Sequence, residues 1–129
     1  MIQDSLSVPV RAHEASQLAE LIFQFAEGRT VDESVYPWGA SGRAHAIGRT
    51  DGFTRWLIEP STGRVLGCGI VGVGAGELIA EAALAIESGA TIQDVTHAVH
   101  PHPTLSETVA NAGELYLGTA VDFYKPKKI

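Results

Sequence analysis

Residues 53–89 constrain the fold more than any other part of the chain, because two apolar runs there precede an alanine-rich helix. Residues 53–59 and 64–72 have the composition of strands, and Pro60-Ser61-Thr62-Gly63 between them is typical of a turn. The two runs therefore predict an antiparallel hairpin. Residues 76–88 predict a helix that ends at Gly89. The alanines on its apolar face would allow another helix or a backbone to approach closely.

The order of the remaining patterns indicates one α+β domain. Apolar residues recur at spacings of three and four in residues 14–26, which predicts a helix. Residues 30–38 predict a strand that ends at Pro37, and residues 41–48 predict a polar connection with about one helical turn. Thr91 and Asp94 form a capping box for a short helix that must end before Pro101, and residues 105–117 predict a last helix. We expect a single domain over residues 1–129, with helices packed mainly on one side of an antiparallel sheet.

The composition excludes several classes of protein. A net charge of −6 argues against a nucleic-acid surface, which needs clustered cations. Cys68 is the only cysteine, so no intrachain disulfide can form and a reducing, cytoplasmic setting is expected. The apolar stretch of residues 65–86 carries Glu77 and Glu81. Each of these acidic side chains would cost roughly 2.5 kcal/mol or more to insert into a membrane, so we expect no membrane span.

Residues 67–72 match the G-x-G-x-x-G pattern of dinucleotide-binding loops, but in an unsuitable context. In such loops the glycines form the turn between a strand and a helix, whereas these lie within a predicted strand. Strand glycines usually mark a bulge or close backbone packing, and we favour that interpretation. Cys68, between two of these glycines, has no cation nearby in the sequence to activate it. We interpret it as an inert buried thiol.

The segment of residues 97–107 contains the strongest candidate for chemistry and leaves three interpretations open. His97, His100 and His102 could bind zinc, although two prolines stiffen the backbone between them. Thr104-x-x-Glu107 is a capping box, so Glu107 could serve only to begin the last helix. Alternatively, Glu107 could hydrogen-bond one ring nitrogen of His102, which would fix the tautomer and leave the other nitrogen for proton exchange.

Three segments resemble one protein family in order and spacing. Residues 102–107 match the H-P-T-L-S-E signature of the dihydrolipoamide dehydrogenases, within the flavin-dependent pyridine nucleotide-disulfide oxidoreductases. Residues 36–44 resemble the F-P-[FW]-x-A-x-x-R-A segment of that family, and residues 65–67 with 76–87 resemble its strand-to-helix stretch. Glutathione reductases are similar here but favour Ser where this chain has Leu105. The chain thus resembles the C-terminal interface (dimerisation) domain of the family over roughly residues 36–117, which implies the FAD/NAD-linked reductase dimerisation-domain fold.

The resemblance implies a role for each residue of the motif. His102 would be the catalytic acid/base that manages the thiols of the partner subunit, and Glu107 would orient it. The His102–Pro103 peptide would be cis and would place this backbone next to the FAD of the partner subunit. Glu107 would then point at His102 rather than cap its own helix. No metal site is implied.

The resemblance also implies cofactors and partners. The parent enzyme would be a homodimer that uses FAD and NAD to oxidise protein-bound dihydrolipoamide. Its external partner would be the acyltransferase component of a 2-oxo acid dehydrogenase complex, whose basic binding segment the acidic charge would suit.

Residues 1–30 depart from the family pattern, because they lack the strand motif of the T-x-P-E type that usually opens this domain. The paired redox cysteines and the FAD and NAD fingerprints of the family do not occur in these 129 residues. We therefore expect the isolated chain to hold no cofactor and to be inactive. The competing hypothesis is a non-catalytic, stand-alone dimerising module that keeps the motif for helix capping and packing.

Overall fold

A computed structural model of the chain describes residues 31–121 and, by their backbone alone, residues 5–8. The predicted helix over residues 14–26 lies outside the described residues. The described residues form one sheet of four strands, which pair in the order β1-β4-β3-β2. Their bounds are Ser5–Val8 (β1), Asp32–Pro37 (β2), Phe53–Ile58 (β3) and Val65–Val71 (β4).

The hairpin of β3 and β4 is confirmed. The two strands pair antiparallel with Trp56 opposite Cys68, and the register shifts between Leu57 and Ile58. The turn is closed by the Gly63 N–H, which donates to the Glu59 carbonyl at 2.8 Å. Gly63 has φ 76°, a left-handed conformation that glycine adopts at little cost.

The sheet departs from the expected antiparallel pattern at one edge. β2, β3 and β4 pair antiparallel as expected, but β1 pairs parallel with β4. The outer edge of β4 would otherwise present unpaired backbone groups, and a strand of either direction can satisfy them. Whether the edge strand runs parallel or antiparallel to β4 depends on the path of the chain between the two strands, which local composition does not encode.

Residues 31–121 contain four α-helices, in positions close to those predicted. They are Gly42–Ala46 (α1), Ala75–Glu87 (α2), Ile92–His97 (α3) and Glu107–Leu117 (α4), and a 3-10 turn spans Trp38–Ala40. The predicted capping box of α3 is confirmed, since Thr91 and Asp94 each accept a backbone N–H from the other. The last helix begins at Glu107, two positions later than expected. Among the described residues, no helix is long and apolar enough to cross a membrane.

The helices bury one face of the sheet. α4 packs on β2 and β3, α2 packs on β4 and β1, and α3 packs against α4. Two donors from the sheet reach backbone carbonyls of α4: Trp56 Nε1–H donates to Val109 at 3.0 Å, and the Ser34 hydroxyl donates to Ala112 at 2.6 Å. These bonds fix α4 on the sheet and with it the position of the loop that precedes α4.

Candidate functional site

The loop between α3 and α4 carries the sequence-predicted site. Its His102–Pro103 peptide is cis, as the resemblance implied. Pro101, His102 and Pro103 are all exposed. Glu107 is the first residue of α4, so the helix places its carboxylate directly beneath the loop.

His102 and Glu107 form a hydrogen-bonded pair. His102 Nδ1–H donates to Glu107 Oε1 at 2.8 Å. The His102 side chain is 79% exposed, whereas that of Glu107 is 25% exposed. Because Nδ1 carries the hydrogen of this bond, Nε2 is the ring nitrogen of a neutral His102 that can accept a proton.

Glu107 also makes a capping contact. The expectation that it would point at His102 rather than cap its own helix was therefore wrong in one respect, because Glu107 does both. The Thr104 N–H donates to Glu107 Oε2 at 2.9 Å. A carboxylate has two oxygens, and here each accepts one hydrogen bond. The Thr104 hydroxyl does not complete the capping box: it donates to the Pro101 carbonyl at 2.6 Å and lies 2.8 Å from the Ser106 hydroxyl. Thr104 is thus bonded to both halves of the loop.

The zinc interpretation finds no support in the geometry. His97 is exposed at the end of α3. Both ring nitrogens of His100 face protein acceptors, namely the Ala98 carbonyl and the Glu81 carboxylate. Within residues 5–8 and 31–121 no group of three His, Cys, Asp or Glu residues could hold a metal ion.

A buried chain of hydrogen bonds supports the loop from below. Trp38 Nε1–H donates to Thr54 Oγ1 at 3.1 Å, and the Thr54 and Thr108 hydroxyls are 2.8 Å apart. Thr108 in turn donates to the Leu105 carbonyl at 2.7 Å. Since Thr108 gives its hydrogen to Leu105, Thr54 must be the donor to Thr108. The order of donors is therefore fixed from the core to the site loop.

Sequence reasoning did not assign these supporting residues, although a signal was present for each. Thr54 is a polar residue at an inward position of β3, two residues from the buried Trp56. Glu81 is a carboxylate within an otherwise alanine-rich stretch of α2. A polar residue in an apolar register predicts a buried partner, but the sequence does not identify that partner.

The glycine-rich segment lies in β4 and just after it, and Gly72 packs closely, in line with the packing interpretation. Gly67 and Gly69 lie within the strand, and a Cβ on Gly72 would come within 2.3 Å of the Trp38 ring. Cys68 is buried, and this burial, with a smaller contribution from Glu81, raises the pKa of its thiol. A neutral buried thiol of this kind is a poor nucleophile.

Comparison with known proteins gives a consistent family. The pyridine nucleotide-disulphide oxidoreductase dimerisation domain matches residues 24–113. Dihydrolipoyl dehydrogenase from Buchnera aphidicola is 44% identical over 105 residues, which cover 80% of this chain and 22% of that protein. The Vibrio cholerae enzyme is 43% identical, covering 79% of the chain and 22% of the relative. The chain therefore spans about a fifth of the length of these curated relatives.

Solved structures agree on the fold. LpdA from Mycobacterium tuberculosis has a TM-score of 0.66 at 24% identity, over 74% of this chain and 20% of its own. The HOCl-induced flavoprotein disulfide reductase RclA from Escherichia coli has a TM-score of 0.66 at 22% identity, over 71% and 21%. Because the family match covers well over half of the residues, this chain belongs to the pyridine nucleotide-disulphide oxidoreductase dimerisation-domain family, and its curated relatives are dihydrolipoyl dehydrogenases.

Proposed function

We propose that this chain acts as the interface domain of a dihydrolipoamide dehydrogenase and supplies His102 as the acid/base for thiol chemistry on a partner subunit. The observation that carries the proposal is the hydrogen-bonded pair of His102 and Glu107 on an exposed loop. A pair that served only helix capping would not need to present an imidazole to solvent. Its exposure suits a site that another subunit completes.

Each group in the pair has a defined task in this proposal. Glu107 accepts from Nδ1–H of His102 and so selects the tautomer whose Nε2 can take a proton. Nε2 accepts the proton of a substrate thiol as that thiol becomes a nucleophilic thiolate, and returns the proton to the thiolate released from the attacked disulfide, which becomes a thiol. The Thr104 N–H holds the other oxygen of Glu107, which limits rotation of the carboxylate.

The described residues do not themselves provide a dinucleotide cradle. Of the glycines that match the fingerprint, Gly67 and Gly69 lie in β4, and Gly72 follows the strand and packs against Trp38. FAD and NAD, which supply electron transfer when bound, would be held by other domains of the parent enzyme. The homodimer, the acyltransferase partner, the cytoplasmic setting and the single domain over residues 1–129 belong to the same proposal.

The test is a chimera in which residues 31–121 replace the matching segment of the Buchnera dihydrolipoyl dehydrogenase. We expect NAD-dependent oxidation of dihydrolipoamide by the chimera and none by the 129-residue chain alone. His102→Gln in the chimera should lower kcat by about 10²–10⁴-fold, the usual contribution of a positioned acid/base. Glu107→Gln should lose less, because one amide oxygen can still accept from either His102 or Thr104, but not from both.

His97→Gln is the matched control, because His97 is exposed and lies in the same segment. It should leave turnover unchanged. If His102→Gln also left turnover unchanged while flavin content and dimerisation stayed normal, the catalytic assignment would be wrong. The non-catalytic dimerising module would then be the better description.

A further inference from the structure

A second His–carboxylate pair connects α2 to the site loop. Glu81 Oε1 hydrogen-bonds His100 Nε2, and His100 Nδ1 lies 2.7 Å from the Ala98 carbonyl oxygen. The His100 side chain is 7% exposed, in contrast to the exposed His102 two residues later. The function proposed above does not use this pair.

The hydrogen-bond partners define where the protons are. A backbone carbonyl can only accept, so His100 Nδ1 must carry a hydrogen and donate it to Ala98. Nε2 and the Glu81 carboxylate both accept in their deprotonated forms, so one further proton must lie between them. Both edges of the His100 ring are therefore fixed, one by the end of α3 and one by α2.

His100 anchors residues 98–103, which form the first half of the loop. Of residues 98–103, all except His100 are exposed, and the neighbouring Val99 is 97% exposed. Apolar packing therefore does not hold this stretch in the described part of the chain. The Thr104 hydroxyl also holds the Pro101 carbonyl of this stretch, and the Thr104 N–H bonds Glu107 at the start of α4.

We propose that Glu81 and His100 are positioning residues for His102, holding the first half of the loop on α2 so that His102 Nδ1 stays aligned with Glu107. This inference rests on the proposed function for its catalytic meaning. The structural step itself, from Glu81 through His100 to the ring of His102, can be tested without turnover. Glu81 and His100 touch no reacting atom in this scheme.

The experiment is nitrogen-15 NMR of the histidine rings in the 129-residue chain near neutral pH. In the unsubstituted chain, we expect the ring-nitrogen shifts of His100 to show a protonated Nδ1 and those of His102 to show mainly the Nδ1–H tautomer. Glu81→Ala and His100→Gln should each shift His102 from the Nδ1–H tautomer toward a mixture of both tautomers. Glu87→Gln, on the same helix but exposed, and His97→Gln are matched controls that should change neither ring.

Glu81→Gln separates hydrogen bonding from charge. Its amide can donate to Nε2 of a neutral His100 whose Nδ1 still donates to Ala98, so the loop should keep its position. We expect the His100 ring spectrum to change and the His102 spectrum to stay as in the unsubstituted chain. This rescue would not be seen if Glu81 acted only through its charge.

The proposal would be overturned if Glu81→Ala and His100→Gln folded normally and left the His102 ring signals unchanged. It would also be overturned if the unsubstituted chain showed His100 without a hydrogen on Nδ1, a measurement that requires no variant. An inactive chimera with intact coupling between these rings would contradict the proposed function and leave the positioning role standing.

Discussion

At the scale of single residues, environment decides which titratable groups can react. His100 and His102 are two residues apart, yet only His102 faces solvent, where a substrate or another subunit can reach it. Cys68 is the extreme case, because its side chain is buried in the hydrophobic core. Burial, with the negative charge of Glu81, raises the pKa of the Cys68 thiol, in agreement with its interpretation from the sequence as an inert thiol.

Cys68 should react with a thiol reagent only when the chain unfolds. Burial raises the pKa of its thiol, with the negative charge of Glu81 acting in the same direction, so the thiolate required for reaction is scarce in the folded state. We expect the rate at which a disulfide reagent modifies Cys68 at pH 8 to increase with urea concentration in parallel with the rate of unfolding. Rapid labelling without denaturant would show that the thiol is accessible and would contradict the structure.

The same shift predicts a loss of stability in alkali. The pKa of Cys68 in the folded state lies above its unfolded value of about 8.5. The contribution of this thiol to the free energy of unfolding is therefore complete below that pH and is lost as the pH rises above it. The free energy of unfolding should fall by up to about 1.4 kcal/mol per pH unit. Tyr116, whose pKa is raised by its hydrogen bond to Asp32, acts in the same direction. The free energy of unfolding, measured with urea at pH 7 to 10, should therefore fall less steeply with pH for Cys68→Ala than for the unsubstituted chain. An equally steep fall would refute the assignment.

At the scale of elements, the contact between α3 and α4 depends on a glycine. A Cβ on Gly113 would lie 2.1 Å from Thr96 Oγ1 and 3.2 Å from Ile92 Cδ1. The two helices can pack at this distance only without a side chain there. This contact holds the two helices that flank the site loop, so it sets the separation of the loop's ends.

Gly113→Ala should destabilise the chain although alanine favours helices. The overlap with Thr96 must be relieved by moving one helix, which typically costs about 1–3 kcal/mol. Thr96→Ala in the same chain should recover part of this loss, and urea unfolding of the single and double variants measures the coupling. Gly42→Ala is the control, since its Cβ would meet no atom within 4 Å. Equal stability of the Gly113 and Gly42 variants would contradict the close approach.

Elements whose causes are local were predictable from the sequence. The β3–β4 hairpin, α2 and the capping box of α3 each depend on residues within one short segment. The contacts that hold the site were not predicted, because Thr54 and Thr108 are 54 positions apart and Glu81 and His100 are 19 apart. Within the site, the residue pair came from the family motif, whereas the dual role of Glu107 depends on how both of its oxygens lie in space.

At the scale of the whole molecule, the described surface includes large apolar side chains. Leu84 on α2 is 70% exposed, and Val99 in the site loop is nearly fully exposed. An isolated apolar side chain on a surface is ordinary. A chain of the dimerisation-domain family has a further reason to expose such residues, since a partner would cover them.

The isolated chain should self-associate through an isologous two-fold contact that includes α2. Sedimentation at tens of micromolar, roughly the range in which weak dimers form, should detect it. Leu84→Lys should shift the equilibrium to monomer, and Ile47→Lys, at an exposed apolar residue in another part of the chain, should not. A clean monomer for the unsubstituted chain at these concentrations would contradict the prediction.

The chain of hydrogen bonds beneath the site loop determines whether the motif of residues 102–107 can be transferred to another protein. His102 and Glu107 fall within six consecutive residues, but their support reaches back through Leu105 and Thr108 to Thr54 in the sheet. A peptide of those six residues, or a graft of them onto another scaffold, would keep the signature and lose the carbonyl anchored by Thr108. Transfer of the motif would therefore require β3 and the two helices that flank the loop, α3 and α4. The smallest unit that can be transferred is the domain.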